Sequence, residues 1–164
     1  MEVKKYAFID VRNTEGTTSK LCGFYVDWCK LCEYLQKEWK CEKSFFYTGI
    51  QEGDDLAERE FDALDKLECS VVRTKPVQVY KKPDKRIEID CIKCGESNVS
   101  TIDMGYQKKG NCDVDLTIDA IECSGPDTEF YFFTGDGDFA PLVNKAIEKG
   151  VNKVHFVSSS KAIM

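Results

Sequence analysis

Apolar and polar positions along the chain switch between a two-residue and a 3.6-residue period, and the switches mark out a βαβ series. The first apolar run, Tyr6 to Ile9, closes on Asp10 and predicts a strand over about residues 4 to 10. Leu21, Phe24, Tyr25, Trp28, Leu31, Cys32 and Leu35 then recur at helical spacing, which predicts one amphipathic helix over about 20 to 39. A strand at about 44 to 49, a helix at about 54 to 67 capped by Asp54 after Gly53, and a strand beginning at Val71-Val72 follow. Residues 76 to 107 interrupt the series. Pro76, Pro83 and the alternating Val77, Val79, Ile87 and Ile89 read as an inserted β-hairpin outside the central sheet. Beyond it, Val114, Ile118 and Ile121 at i, i+4 and i+7 predict a helix over about 112 to 123, and Phe130 to Phe133 anchor a strand at about 129 to 134. A helix at about 139 to 149, with Pro141 in its first turn and Gly150 at its end, leads to a last strand at about 152 to 158. The expected fold is α/β, a three-layer Rossmann-like sandwich with a mainly parallel central sheet. It is expected as a single domain over 1–164, with the hairpin inserted at about 76–107 and no internal repeat or linker.

The chemistry gathers where predicted strands end. Asp10 closes the first, and Thr134-Gly135-Asp136-Gly137-Asp138 follows the late apolar strand. In an open α/β sheet the crevice beyond the carboxyl ends of the strands is where ligands bind. If the two strands are neighbours, these carboxylates converge there with the Asp-rich first turn of the helix at 112. Such a cluster repels itself, and a hard divalent cation such as Mg²⁺ or Mn²⁺ holds it together. Each acid also has a structural role open to it. Asp10 fits a turn cap and Asp138 the N-cap of the following helix. Asp113 suits the helix macrodipole, and Asp115 with Asp119 fits a solvated acidic face.

Three blocks, FIDVRN, KGNCDVDLTIDAI and FFTGDGDFAPLVNKAIEKGVNKVHFVSS, together resemble the NYN domain, specifically the LabA-like branch of the PIN-like nuclease superfamily, over about residues 4 to 158. The resemblance implies a PIN-like fold and a metal-dependent endoribonuclease that acts on RNA. It implies that Asp10, Asp113, Asp136 and Asp138 are the catalytic and metal-binding carboxylates, holding Mg²⁺ or Mn²⁺ to activate water for in-line attack. Asp119 matches the family pattern, and Asn13 and Thr134 are expected to orient the metal ligands through hydrogen bonds. Arg12 departs from the small residues usual after the first Asp, and either contacts phosphate or obstructs the substrate. The alternative is a non-catalytic NYN-like module that binds RNA or protein. A phosphatase of the haloacid dehalogenase type is disfavoured, because it needs a second Asp where Arg12 stands.

Charge at first contradicts an RNA partner, since the net charge is −6. Its distribution changes the picture. Residues 70 to 110 hold nine Lys or Arg against five acids, so this segment carries +4 and the remainder −10. Arg12, Lys81, Lys82, Lys85, Arg86, Lys108 and Lys109 are therefore the candidates for drawing a phosphate backbone toward the acids, although each lysine alone is equally well read as solvated charge. No apolar run approaches the ~18 residues of a membrane span, and the N-terminal residues lack a signal-peptide core. With nine scattered cysteines, reduced thiols and a cytoplasmic location are expected. Cys29 and Cys32 fall inside a predicted helix and read as core thiols. Cys91-Ile92-Lys93-Cys94-Gly95 resembles a zinc knuckle instead, but supplies only two of the four ligands of a structural zinc. Cys69, Cys112 or a partner chain would have to complete it. His155, the sole histidine, lies in a predicted strand and reads as a packing residue. Ten Phe and seven Tyr leave room for a homodimer patch.

Overall fold

A computed structural model describes residues 2–159. The chain forms strand β1 (Lys4–Asp10), helix α1 (Val11–Thr17), helix α2 (Trp28–Lys37), strand β2 (Cys41–Ile50), helix α3 (Asp55–Asp65) and strand β3 (Ser70–Pro76). An arm of short strands follows: β4 (Gln78–Lys81), β5 (Lys85–Asp90), β6 (Ser97–Ile102) and β7 (Tyr106–Lys109). Helix α4 (Asp113–Cys123), strand β8 (Thr128–Phe133), helix α5 (Ala140–Glu148) and strand β9 (Lys153–Phe156) complete the series. The central sheet has the order β3-β2-β1-β8-β9, and all four of its strand pairings are parallel. The chain therefore builds outward from β1 in one direction, returns, and builds outward in the other. The switch lies between β1 and β8, where such sheets open a crevice.

Alternating side chains on β1 explain the three layers. Ala7 and Ile9 join Trp28, Leu35, Phe61 and Leu64 under α2 and α3, whereas Phe8 joins Leu116, Ala120 and Leu142 under α4 and α5. Phe8 stacks between Phe45 and Phe132 at 5.2 and 5.1 Å, which welds β1 to both neighbours on one face.

Three sequence expectations need correction. The single helix over 20 to 39 is in fact two. The chain enters α1 directly after Asp10, continues as a π-helical turn through Cys22 and ends at Gly23, whose φ of 77° is left-handed. Asp27 then caps α2 by accepting from the Lys30 N–H at 3.0 Å. Leu21, Phe24 and Tyr25 consequently fall outside α2 and are exposed, while Trp28, Cys32 and Leu35 are buried. On α4 the buried face is Leu116, Asp119 and Ala120, and Val114 and Ile118 point to solvent. The inserted hairpin is antiparallel as expected, but it is broken into two ladders and runs on to Lys109: β4 pairs with β7, and β5 with β6. Lys82 N–H to Gly105 O, at 2.8 Å, bridges the interruption at Pro83 and Gly105. At the base of the arm, backbones meet with no room for a side chain. A Cβ on Gly49 would lie 2.5 Å from the Gly110 carbonyl oxygen, and one on Gly110 would lie 2.7 Å from Val77 Cγ2.

Candidate active site

Asp10 ends β1 and caps α1, accepting from the Asn13 N–H at 3.1 Å. Next door, β8 ends at Phe133, which is paired with Ile9, and the chain runs on to Asp136. Two side chains tie these strand ends together. Asn13 Oδ1 accepts from the Gly135 N–H at 2.8 Å, and the buried Thr134 hydroxyl accepts from the Asp136 N–H at 3.2 Å while donating to Asp10. Asn13 and Thr134 thus hydrogen-bond within the two strand ends that carry Asp10 and Asp136. Thr14, which the sequence did not single out, adds a hydroxyl bond to the Phe133 carbonyl at 3.0 Å. Only its place one residue after Asn13, in a turn directly following Asp10, could have pointed to it.

Asp113 arrives from the other side of the cleft at the start of α4. Its N–H donates to Asn111 Oδ1 at 3.0 Å, and Asn111 Nδ2 donates back to its carboxylate. Asn111 therefore fixes the acid in place, and the Asn two residues before a helical Asp was the signal for it.

Asp10, Asp113 and Asp136 line a single cleft of about 900 Å³. Arg12, Asn13, Lys108, Lys109, Asn111 and the aromatic rings of Tyr47 and Tyr80 share its walls. Burial raises the pKa of Asp10 above the ordinary carboxylate value. The Asn13 N–H and the Thr134 hydroxyl oppose that rise, while the charges of Asp113 and Asp136 add to it. Among the described residues, however, no three His, Cys, Asp or Glu side chains are gathered tightly enough to close on one ion as they stand. Asp10, Asp113 and Asp136 are the carboxylates in the cleft that could hold a hard cation, which Mg²⁺ binds through one or two carboxylates together with water and phosphate.

Other predicted site residues lie elsewhere. Asp138 does not line the cleft. Its backbone N–H donates to Asp136 Oδ1 at 2.9 Å, so the capping residue of that turn is Asp136 rather than Asp138. Asp119 is drawn inward, not toward Asp10, Asp113 and Asp136. It accepts from Tyr47 Oη at 3.0 Å and from Arg73 Nε and a terminal guanidinium nitrogen at 3.1 and 3.0 Å. Asp115 does not belong to a purely solvated face, because Lys75 pairs with it. Lys81, Lys82, Lys85 and Arg86 sit farther along the arm and do not line the cleft; Lys81 pairs with Asp84 at 3.6 Å. The arm reaches the cleft instead through Gln78, Tyr80, Gln107 and Lys109, which pair as Gln78↔Lys109 and Tyr80↔Gln107 and so share one face. Cys69 and Cys112 are buried in the body of the fold, away from the knuckle at Cys91 and Cys94 in the β5–β6 turn. His155 is a packing residue, stacked on Tyr131 at 4.6 Å and 2.6 Å from Glu129 Oε1. No helix among the described residues is long and apolar enough to cross a membrane.

The NYN domain family model matches residues 5–163. Among solved structures, a protein of unknown function from Vibrio parahaemolyticus is similar at a TM-score of 0.62 and 22% identity, over 99% of this chain and 87% of that one. At that identity the likeness concerns the fold alone. Comparison with curated proteins gave no match.

Proposed function

We propose that this chain, which belongs to the NYN domain family within the PIN-like nuclease superfamily, is a Mg²⁺- or Mn²⁺-dependent endoribonuclease of the LabA-like kind. The observation that carries the reading is the meeting of Asp10, Asp113 and Asp136 with Arg12, Lys108 and Lys109 in one cleft at the switch point of the sheet. Three acids gathered on one cleft at the ends of the sheet have little structural use there, and cationic side chains beside them supply what an RNA backbone needs to approach.

In this reading Asp10 and Asp136 hold the metal, with Asp113 facing them across the cleft. When bound, the ion supplies an activated water and charge neutralisation on the leaving oxygen. The chain's own residues do the positioning. Thr134 and Asn13 lock the ends of β1 and β8 so that neither acid can swing away. The Asp138 N–H, rather than its carboxylate, orients Asp136. Lys109, Lys108 and Arg12 bind phosphate. Tyr80, half-exposed on the cleft face of the arm, offers a ring on which an unpaired base stacks, and this favours single-stranded RNA.

The test is cleavage of single-stranded RNA by the purified chain in Mg²⁺ or Mn²⁺, in excess chelator, and by the Asp136→Asn variant. Cleavage is expected only by the wild type with metal. Equal cleavage in chelator, or a fully active Asp136→Asn variant, refutes the mechanism. RNA binding without cleavage under every condition supports the non-catalytic module instead.

A further inference from the structure

The arm ends in a feature the cleft does not use. Between β5 and β6 the chain turns through Cys91-Ile92-Lys93-Cys94-Gly95, with Gly95 at a left-handed φ of 73°. The turn is closed by Gly95 N–H to Cys91 O at 2.8 Å and Cys91 N–H to Glu96 O at 2.9 Å. Both thiols are on the outside of the fold, Cys94 fully and Cys91 half-exposed. The turn thus sets the Cys91 and Cys94 side chains on one tight bend at the tip of the ribbon. Two thiols on one tight turn match two of the four ligands that a tetrahedral thiolate site needs.

Among the described residues the other half is not supplied: Cys22 and Cys29 lie at the end of the turn after α1 and in α2, Cys123 ends α4, and none gathers with Cys91 and Cys94 into a three-ligand group. All nine cysteines lie among the described residues, and Cys32, Cys41, Cys69 and Cys112 are buried in the body. Cys32 Sγ lies 3.0 Å from Cys69 Sγ, and Cys112 Sγ donates to the Thr48 carbonyl. Among the described residues no three metal-ligating side chains stand together.

A second observation bears on what could complete the site. In the β5–β6 ladder, Lys85↔Ile102, Ile87↔Ser100 and Ile89↔Asn98 pair directly, so Ile87, Ile89 and Ile102 share one face. Ile89 and Ile102 are exposed on that face, and Ile92 is wholly exposed at the tip. A two-stranded ribbon in water is marginally stable and gains from burying its apolar face. The same ribbon carries the half-site, so a symmetric pairing of two ribbons brings four thiols together and covers the isoleucines at once.

We propose that Cys91 and Cys94 are half of a tetrathiolate zinc site that a second copy of this chain completes, so that one Zn²⁺ joins two arms tip to tip. Binding releases four thiol protons and leaves a ZnS₄ centre of charge −2.

The test uses the full chain, metal-stripped and kept in a thiol-free reductant, titrated with Zn²⁺ and followed by light scattering, zinc content and zinc-edge X-ray absorption. The expected result is one zinc per two chains, all-sulfur coordination, and a mass twice the 18.7 kDa of the chain that falls back on chelation. The Cys91→Ser/Cys94→Ser variant should stay at 18.7 kDa with zinc and match the wild-type Tm without it. One zinc per monomer, coordination containing oxygen, no retained zinc, or a dimer that persists in the variant overturns the proposal.

Discussion

Replacing Asp119 by Ala should destabilise the protein without touching its metal affinity. The carboxylate is 5% exposed and accepts from Tyr47, itself 3% exposed, at 3.0 Å. A hydrogen bond to a charged acceptor contributes ~1.5–3 kcal/mol, and the orphaned Tyr47 hydroxyl has no water to turn to. The bidentate pair with Arg73 counts for less. Its guanidinium side chain is 49% exposed and can be rehydrated, so the surface range of ~0–1 kcal/mol applies. Together these give a loss of about 3 kcal/mol, or a Tm drop of roughly 6–12 °C for a chain of this length. Asp119→Asn keeps an acceptor for Tyr47 and should lose less than half of that. Thermal and denaturant unfolding of Asp119→Ala, Tyr47→Phe and the double variant give the coupling directly, expected at ~1–2 kcal/mol. A Tm within about 1 °C of wild type for Asp119→Ala, below the ~2–4 °C that 1 kcal/mol produces, or strictly additive losses, refutes the structural role. So does an Asp119→Asn variant that keeps its Tm but loses Mg²⁺ affinity, for then the acid serves the metal.

Asp10→Asn should raise stability in the metal-free protein. Because burial, helped by Asp113 and Asp136, raises the folded-state pKa, ionising Asp10 costs stability; that cost is absent below the unfolded value of 3.8 and complete above the raised folded value. The Tm gain of the variant, measured against pH, should be full at neutral pH and vanish under acid, and a gain independent of pH contradicts the assignment. Added Mn²⁺ should raise the wild-type Tm, with stabilisation approaching ~2.7 kcal/mol at a hundredfold excess over Kd, and should leave Asp10→Asn and Asp136→Asn unmoved by calorimetry. Lys109→Ala should weaken RNA binding and flatten its salt dependence by ~0.7 in slope per lost phosphate contact. Lys82→Ala, outside the cleft, should do neither by fluorescence anisotropy, and equal effects contradict the placement of the arm.

The layered fold was readable in the sequence because central parallel strands are apolar on both faces, and runs such as YAFI and FYFF allow little else. The pairing of Asp10 with the TGDGD turn was readable for the same reason, since both close such runs. Helix boundaries after β1 were not. VRNTEGT is polar apart from Val11, so α1 carries no amphipathic stripe, and the apolar residues beyond it spanned the break at Gly23 without showing it. Asp119 was misplaced because a buried acid is invisible to periodicity. Its partners, Arg73 and Tyr47, are 46 and 72 residues away and come into reach only through the pairing of β2 with β3 and the packing of α4. Lys81, Lys82, Lys85 and Arg86 could not be told apart from Lys108 and Lys109, because a charge sum over 70 to 110 locates a segment but not which face of it turns toward the acids.

The glycine pinch between Gly49, Gly110 and Val77 separates the history of the arm from that of the cleft. Everything distal to the pinch leaves the body after Val77 and returns at Gly110, two short steps before the acid at the head of α4. With exit and re-entry fastened backbone to backbone, lengthening, shortening or exchanging the distal ladder leaves Asp113 where it is. Such a joint lets the β5–β6 ladder at the end of the arm vary in length or sequence while the position of Asp113 stays fixed.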